Sequence, residues 1–163
     1  MTETVAALVA AHRARTVSPA QTVARSYQRI RDHNDPAIFI SLRDENEALA
    51  EAEALPAKDA ARLPLYGIPV VVKDNIDVAG LPTTAACPAF SYLPSHDATS
   101  VARLRAAGAI MIGKTNLDQF ATGLVGVRSP YGIPKNPLRG DLIPGGSSSG
   151  SAVAVSAGLV PLA

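Results

Sequence analysis

Pro144-Gly145-Gly146-Ser147-Ser148-Ser149-Gly150-Ser151 runs directly into Ala152-Val153-Ala154-Val155-Ser156-Ala157-Gly158. Two glycines free the backbone from side-chain clash, four hydroxyls crowd into five positions, and a small-residue helix then begins. A helix N-terminus carries unpaired N–H groups and the positive end of the helix dipole, so such a loop can hold an anion or a developing oxyanion. The same string without chemistry is a flexible turn closed by a serine cap. The stretches upstream separate the two readings.

Working outward, Leu63-Pro64-Leu65-Tyr66-Gly67-Ile68-Pro69 is a turn-rich entry to Val70-Val71-Val72-Lys73-Asp74-Asn75-Ile76-Asp77. Three consecutive valines predict a strand buried on both faces. Burial at the end of such a strand favours neutral lysine, which makes the Lys73 amine usable as a base. The alternative is a lysine that snorkels to water or pairs with Asp74 or Asp77. Gly80 to Pro88 reads as a small-residue loop. Asp97 or Ser100 is expected to cap a helix with Val101, Leu104 and Ala107 on its core face, ended by Gly108. Ala109 to Gly113 reads as a short strand, and Lys114-Thr115-Asn116-Leu117-Asp118 as the start of another helix that turns Phe120 and Ala121 inward. The Gly/Pro-rich segment from Thr122 to Gly132 is long enough to line a pocket.

Towards the N-terminus, Val5, Leu8, Val9 and His12 recur at helical spacing. Ser18-Pro19-Ala20-Gln21 is a capping box with proline at the first helical position, opening a helix that carries Ala20, Val23, Tyr27 and Ile30 on one face. It is expected to end between Asp32 and Asn34. Ala37 to Leu42 has strand length, and Glu45 to Leu55 is an Ala/Glu-rich helix with a solvated acidic face. Helix and strand alternate, which predicts an α/β chain.

With 163 residues and 47% hydrophobic content, the chain is long enough for one domain with a real core. A net charge of +1 gives no electrostatic footprint for nucleic acid or an anionic membrane, and no apolar run approaches bilayer length. Cys87 is the single cysteine, which excludes an internal disulfide and a cysteine-based zinc cluster. The polar start Met1-Thr2-Glu3-Thr4 and the lone cysteine together suit a soluble, unprocessed, cytoplasmic protein. His12 and His33 fall at helix ends and read as solvated; with His96 they are the only histidines, few parts for a histidine triad or a histidine-held metal.

Four strings in order, Gly67-Ile68-Pro69-Val70-Val71-Val72-Lys73-Asp74-Asn75, Ala107-Gly108-Ala109, Gly113-Lys114-Thr115-Asn116-Leu117 and Pro144 to Ser151, resemble the motifs of the amidase signature family. Within it, Ala79 to Phe90, Asn116 to Gly126 with Arg128-Ser129-Pro130-Tyr131-Gly132, and a third serine at Ser149 are similar to the allophanate hydrolase branch. The resemblance implies an α/β amidase signature fold, a mixed sheet flanked by helices and incomplete here. Residues 1–62 would form a helical N-terminal segment and 63–163 the start of the catalytic core of a single domain. It also implies a Ser-cisSer-Lys triad, with Lys73 as base, Ser147 as bridge on a non-proline cis peptide, and Ser148 as support for the loop. Ala121, Thr122 and Gly123 would lie along the substrate pocket. Arg128 and Tyr131 are candidate contacts to a planar anion or amide. No metal or organic cofactor is implied. The family's nucleophilic serine and oxyanion N–H groups fall further along than Ala163, so the nucleophile is expected to be absent from this chain.

The activity implied is hydrolysis of allophanate to ammonia and carbon dioxide, linked in urea degradation to urea carboxylase. Another amidase of the family, such as the glutamine-hydrolysing component of an amidotransferase, and an inactive truncated product stay open. So does a homo-oligomer. A phosphate-cradling binding module is disfavoured because no lysine follows the glycines directly. Val153, Val155, Leu159 and Val160 are expected to lack a full set of packing partners.

Overall fold

A computed structural model describes residues 3–163; Met1 and Thr2, the first half of the polar N-terminal string, lie outside the described residues. Helix α1, Val5–Arg13, starts where the Thr4 hydroxyl accepts from the Ala7 N–H. Helix α2, Pro19–His33, starts at the expected capping box: Ser18 Oγ accepts from Gln21 N at 3.1 Å and Gln21 Oε1 from Ser18 N at 2.9 Å. It stops at Asn34, whose left-handed backbone closes the last turn. Strand β1, Phe39–Leu42, leads to helix α3, Glu45–Ala54, capped by Asp44. Strand β2, Pro69–Lys73, helix α4, Thr99–Ala106, strand β3, Ile110–Thr115, and helix α5, Ser149–Ser156, follow.

The sheet is mixed, in the order β1-β3-β2, with β3 antiparallel to β1 and parallel to β2. Alternation along the strands splits the core between its two faces. Val71, Ile110 and Ile112 pack with Val23 and Tyr27 of α2, Ala48 and Ala52 of α3, and Val153 and Ala154 of α5. Val70, Val72 and Met111 pack with Leu8 and Val9 of α1 and Val101 of α4. Both faces are therefore dry, as the valine run predicted, and each such aliphatic side chain contributes about 1.5–3 kcal/mol by leaving water. No helix is long and apolar enough to cross a membrane among the described residues.

Several expectations are corrected. Lys114 and Thr115 do not open a helix; they complete β3, because buried partners satisfy their polar groups there, and only a 3-10 turn, Gln119–Ala121, follows. Phe120 and Ala121 adopt positive φ (51° and 57°), which turns them outward; Phe120 is 50% exposed and stacks edge-on against Phe90. Helix α4 has Ala98 at its N-cap and no side-chain cap, since Asp97 is engaged by the Ala79 N–H and the Arg105 guanidinium. Ser100 lies inside the first turn. His12 is buried, its Nδ1 and Nε2 each 2.8 Å from Tyr66 O and Thr22 Oγ1, so it is a packing residue. The acidic face of α3 is not merely solvated: Glu45 pairs with Arg31, and Glu51 with Arg43 and Arg105. Val153, Leu159 and Val160 are fully packed and Val155 lies against the same cluster. The most exposed apolar side chains, Leu124 and Leu138, are instead on loops.

Candidate active site

Lys73 is the last residue of β2, where the strand leaves the core and its side chain becomes half-buried. Its Nζ donates to Ser147 Oγ at 2.7 Å and to Ser148 Oγ at 2.9 Å. Neither Asp74 nor Asp77 takes it, which removes the structural pairing as an alternative: Asp74 turns to Lys114, and Asp77 accepts from Thr83 and Tyr92. Burial pulls the Lys73 ammonium below the usual 10.5, with the Asp118 charge acting against that fall.

The two serines come from the opening stretch of the sequence. The Gly146–Ser147 peptide is cis, and Ser148 sits at the N-cap of α5 with its hydroxyl turned to Lys73 rather than to a helix N–H. Gly146 has no room for a Cβ, which would meet the Asp118 carboxylate and the Gly126 backbone. The glycine is thus required by close approach. Ser151, in the first turn of α5, bonds Thr115 Oγ1 at 2.7 Å and ties the helix to the end of β3. Between β2, α4 and α5 lies a cavity of about 370 Å³ whose polar lining is Lys73, Ser100, Ser148 and Ser151.

The expected pocket residues gather around Asp118. Its Oδ1 accepts from Arg128 N at 2.9 Å, and its Oδ2 from Gly126 N at 3.0 Å and Val125 N at 3.2 Å. Burial would push this carboxyl up, but the N–H groups of Gly126, Arg128 and Val125 outweigh it and hold the group below the usual carboxylate range. Gly123 lies against the same carboxylate, where a Cβ would come within 2.6 Å of Oδ2. Thr122 O accepts from the Arg128 guanidinium at 3.3 Å, and both residues line an open cavity of about 550 Å³ with Gln119, Phe120, Ser129 and Pro130. Ala121 is exposed at the rim of that turn. Tyr131 is half-buried and is held through its N–H by Ser129 Oγ, apart from the lysine–serine cluster. Among the described residues no group of three His, Cys, Asp or Glu side chains converges as metal ligands do.

Sequence reasoning missed Asp118, Lys114 and Asp74 as parts of this region. Lys114 is fully buried; its Nζ lies 3.3 Å from Asp74 Oδ1, 3.0 Å from Pro82 O and 3.1 Å from Thr83 Oγ1. Asp74 Oδ2 in turn accepts from the Thr84 N–H and hydroxyl. All three fall within the motif strings, but the strings assigned them no role, and the polar run after an apolar strand read as a helix start.

Lys73, at the end of a strand of a mixed sheet, is thus hydrogen-bonded to Ser147, which follows the cis glycyl peptide. The Amidase family model matches residues 21–163, and the chain belongs to that family. It is 58% identical over 130 residues to urea amidolyase of Lachancea kluyveri, covering 79% of this chain and 7% of that protein. It is 45% identical over 159 residues to a glutamyl-tRNA(Gln) amidotransferase chain of Chlorobium luteolum, covering 93% and 33%. Among solved structures, allophanate hydrolase of Kluyveromyces lactis superposes with a TM-score of 0.81 at 43% identity, covering 97% of this chain and 26% of that one. The chain therefore spans a small part of the curated relatives it matches.

Proposed function

We propose that this chain carries two of the three groups of a Ser-cisSer-Lys amide hydrolase, Lys73 as the base and Ser147 as the bridge, and that the amide is that of allophanate. The observation that supports the reading most is the 2.7 Å contact from Lys73 Nζ to Ser147 Oγ, made by an amine whose pKa is lowered by burial. Neutral Lys73 accepts the Ser147 hydroxyl proton as Ser147 takes one from the attacking serine; reversing the relay protonates the leaving amine. No serine of this chain is assigned as the attacking group. Ser148, the second acceptor on Lys73, supports the loop and keeps the amine aimed.

The loop around Asp118, with Ala121, Thr122, Gly123 and Arg128, is proposed to line the substrate side, and Arg128 or Tyr131 to meet the planar anion. The relatives named urea amidolyase and allophanate hydrolase favour allophanate, whose hydrolysis yields ammonia and carbon dioxide and follows urea carboxylase in urea breakdown. The amidotransferase relative favours a second reading, glutamine as the amide, and it aligns over more of this chain.

The test is ammonia release by the full-length protein from allophanate and from glutamine, with Lys73→Met and Ser147→Ala alongside. Allophanate turnover lost in both variants is the expected result. Turnover of glutamine alone selects the second reading, and turnover that survives Lys73→Met overturns both.

A further inference from the structure

We propose that Asp118 is a positioning residue of the site: its carboxylate locks the 123–128 loop, its own N–H holds the backbone of the serine bonded to Lys73, and its fixed negative charge faces that lysine. The backbone N–H of Asp118 donates to Ser147 O at 3.0 Å, so the same residue grips the loop that presents the Ser147 hydroxyl. The carboxylate takes three N–H donors from one short loop, Val125, Gly126 and Arg128. The two glycines that approach it, Gly123 and Gly146, come from the two loops it joins. Gly146 N also donates to Leu124 O at 3.0 Å, so the loops are stitched beside the carboxylate as well as through it.

This arrangement is more than a fastening. Asp118 is fully buried and its three donors are neutral N–H groups, so among the described residues no salt bridge cancels its charge. The Arg128 guanidinium is the other charge acting on it, and that side chain is exposed and bonded to Thr122 O. Lys73 touches the hydroxyls of Ser147 and Ser148; the Asp118 carboxylate lies beside Gly146, one residue before Ser147, and acts on the amine through its charge, while the adjoining Asp74 is already paired with Lys114. Asp118 is thus the uncancelled charge that sets how far burial can push Lys73 towards the neutral amine. A carboxylate nearer by would hold the proton; one absent would leave the amine neutral at lower pH.

The inference rests on the proposed role of Lys73 only for its catalytic meaning; its test reads the lysine itself. Lysine 13Cε and aspartate 13Cγ signals of the full chain are followed through a pH titration by NMR, with Lys73→Arg used to assign the Lys73 signal. In the unsubstituted protein the Asp118 Cγ signal is expected to show a step at the Lys73 midpoint. In Asp118→Asn, whose one amide oxygen keeps an acceptor for one side of the loop while its NH2 replaces the other, the Lys73 midpoint is expected to fall by about half to one pH unit, a charge effect that loosened packing alone does not imitate. A Lys73 midpoint unmoved in a folded Asp118→Asn variant overturns the proposal. Should that variant not fold, absence of the step in the unsubstituted protein does so. An intact Lys73–Asp118 coupling in a protein that hydrolyses no amide would leave this inference standing while the functional reading falls.

Discussion

Two lysines lie at the ends of two neighbouring parallel strands, and the protein treats them in opposite ways. Val72 pairs with Lys114 and Lys73 with Thr115, so the two side chains leave adjacent rungs of the same ladder. Lys114 is wholly buried and meets a carboxylate, two carbonyls and a hydroxyl. Lys73 is half-buried and meets two serine hydroxyls. Burial lowers the pKa of both, yet a contact carboxylate keeps the Lys114 proton in place while hydroxyls can take and return one. Partner chemistry, more than depth, separates a structural ammonium from the amine proposed as a base.

The largest expected effect is on turnover. Lys73→Met should lower kcat/KM by about 10⁴-fold, since the proposed base of a relay would act as a unit with its neighbours. Thermal unfolding should stay near that of the unsubstituted protein, because the lost contacts are to serines on a partly exposed loop. The pH profile sharpens the point: activity should rise with pH along a limb whose midpoint lies below the 10.5 of a free lysine, because only the neutral amine accepts a proton. A Lys73→Met variant with near-normal kcat/KM would break the comparison at once.

Lys114→Met should instead cost about 3–5 kcal/mol of stability, because it leaves the Asp74 carboxylate buried without its cation. Pairing it with Asp74→Asn should recover a large part of the loss, since asparagine keeps an oxygen for the Thr84 N–H and carries no charge. Denaturant midpoints of the single and double variants measure this directly. Equal losses in both would mean that the ion pair is not what Lys114 is kept for.

Asp118 should give an effect of about 1.5–3 kcal/mol, the range for hydrogen bonds to a charged acceptor. Its folded pKa lies below its unfolded value, so this stability is present above about pH 4 and is lost as pH falls through the folded value. The gap between the unsubstituted protein and Asp118→Asn in urea midpoint should therefore be widest near pH 7 and narrow towards pH 3. A gap that does not change with pH would assign the residue a shape role without a charge role.

What could be read in advance follows the same division between apolar pattern and polar partner. The valine run and the 3.6-residue spacing in α2 specify burial by periodicity alone, and their elements were legible. The meeting of Lys73 with Ser147 and Ser148 was legible only through the family resemblance, since the residues alone left Lys73 free to snorkel or to pair with Asp74 or Asp77. Residues 114–118 were not, since a strand that ends in Lys-Thr-Asn-Leu-Asp is stable only if Asp74, Thr83, Ser129 and the 123–128 loop arrive to satisfy it. Those partners are distant in sequence, and no local rule announces them. The buried His12 failed for the same reason: Tyr66 O and Thr22 Oγ1 are what make its position dry.

The smallest effect probes the hydroxyl side of the contrast. Ser148→Ala removes one of the two acceptors on Lys73 and leaves the 2.7 Å bond to Ser147. A neutral hydrogen bond contributes about 1 kcal/mol net, and one made to a charged donor somewhat more, so kcat/KM should fall about five- to tenfold. Stability should barely change, because Ser148 makes no side-chain cap for α5 and its side chain is exposed. The lost acceptor had favoured the ammonium form, so the midpoint of the activity limb should move to slightly lower pH. A fall as large as that of Lys73→Met would instead place Ser148 in the proton path itself, and Ser147 would then have to be the supporting hydroxyl.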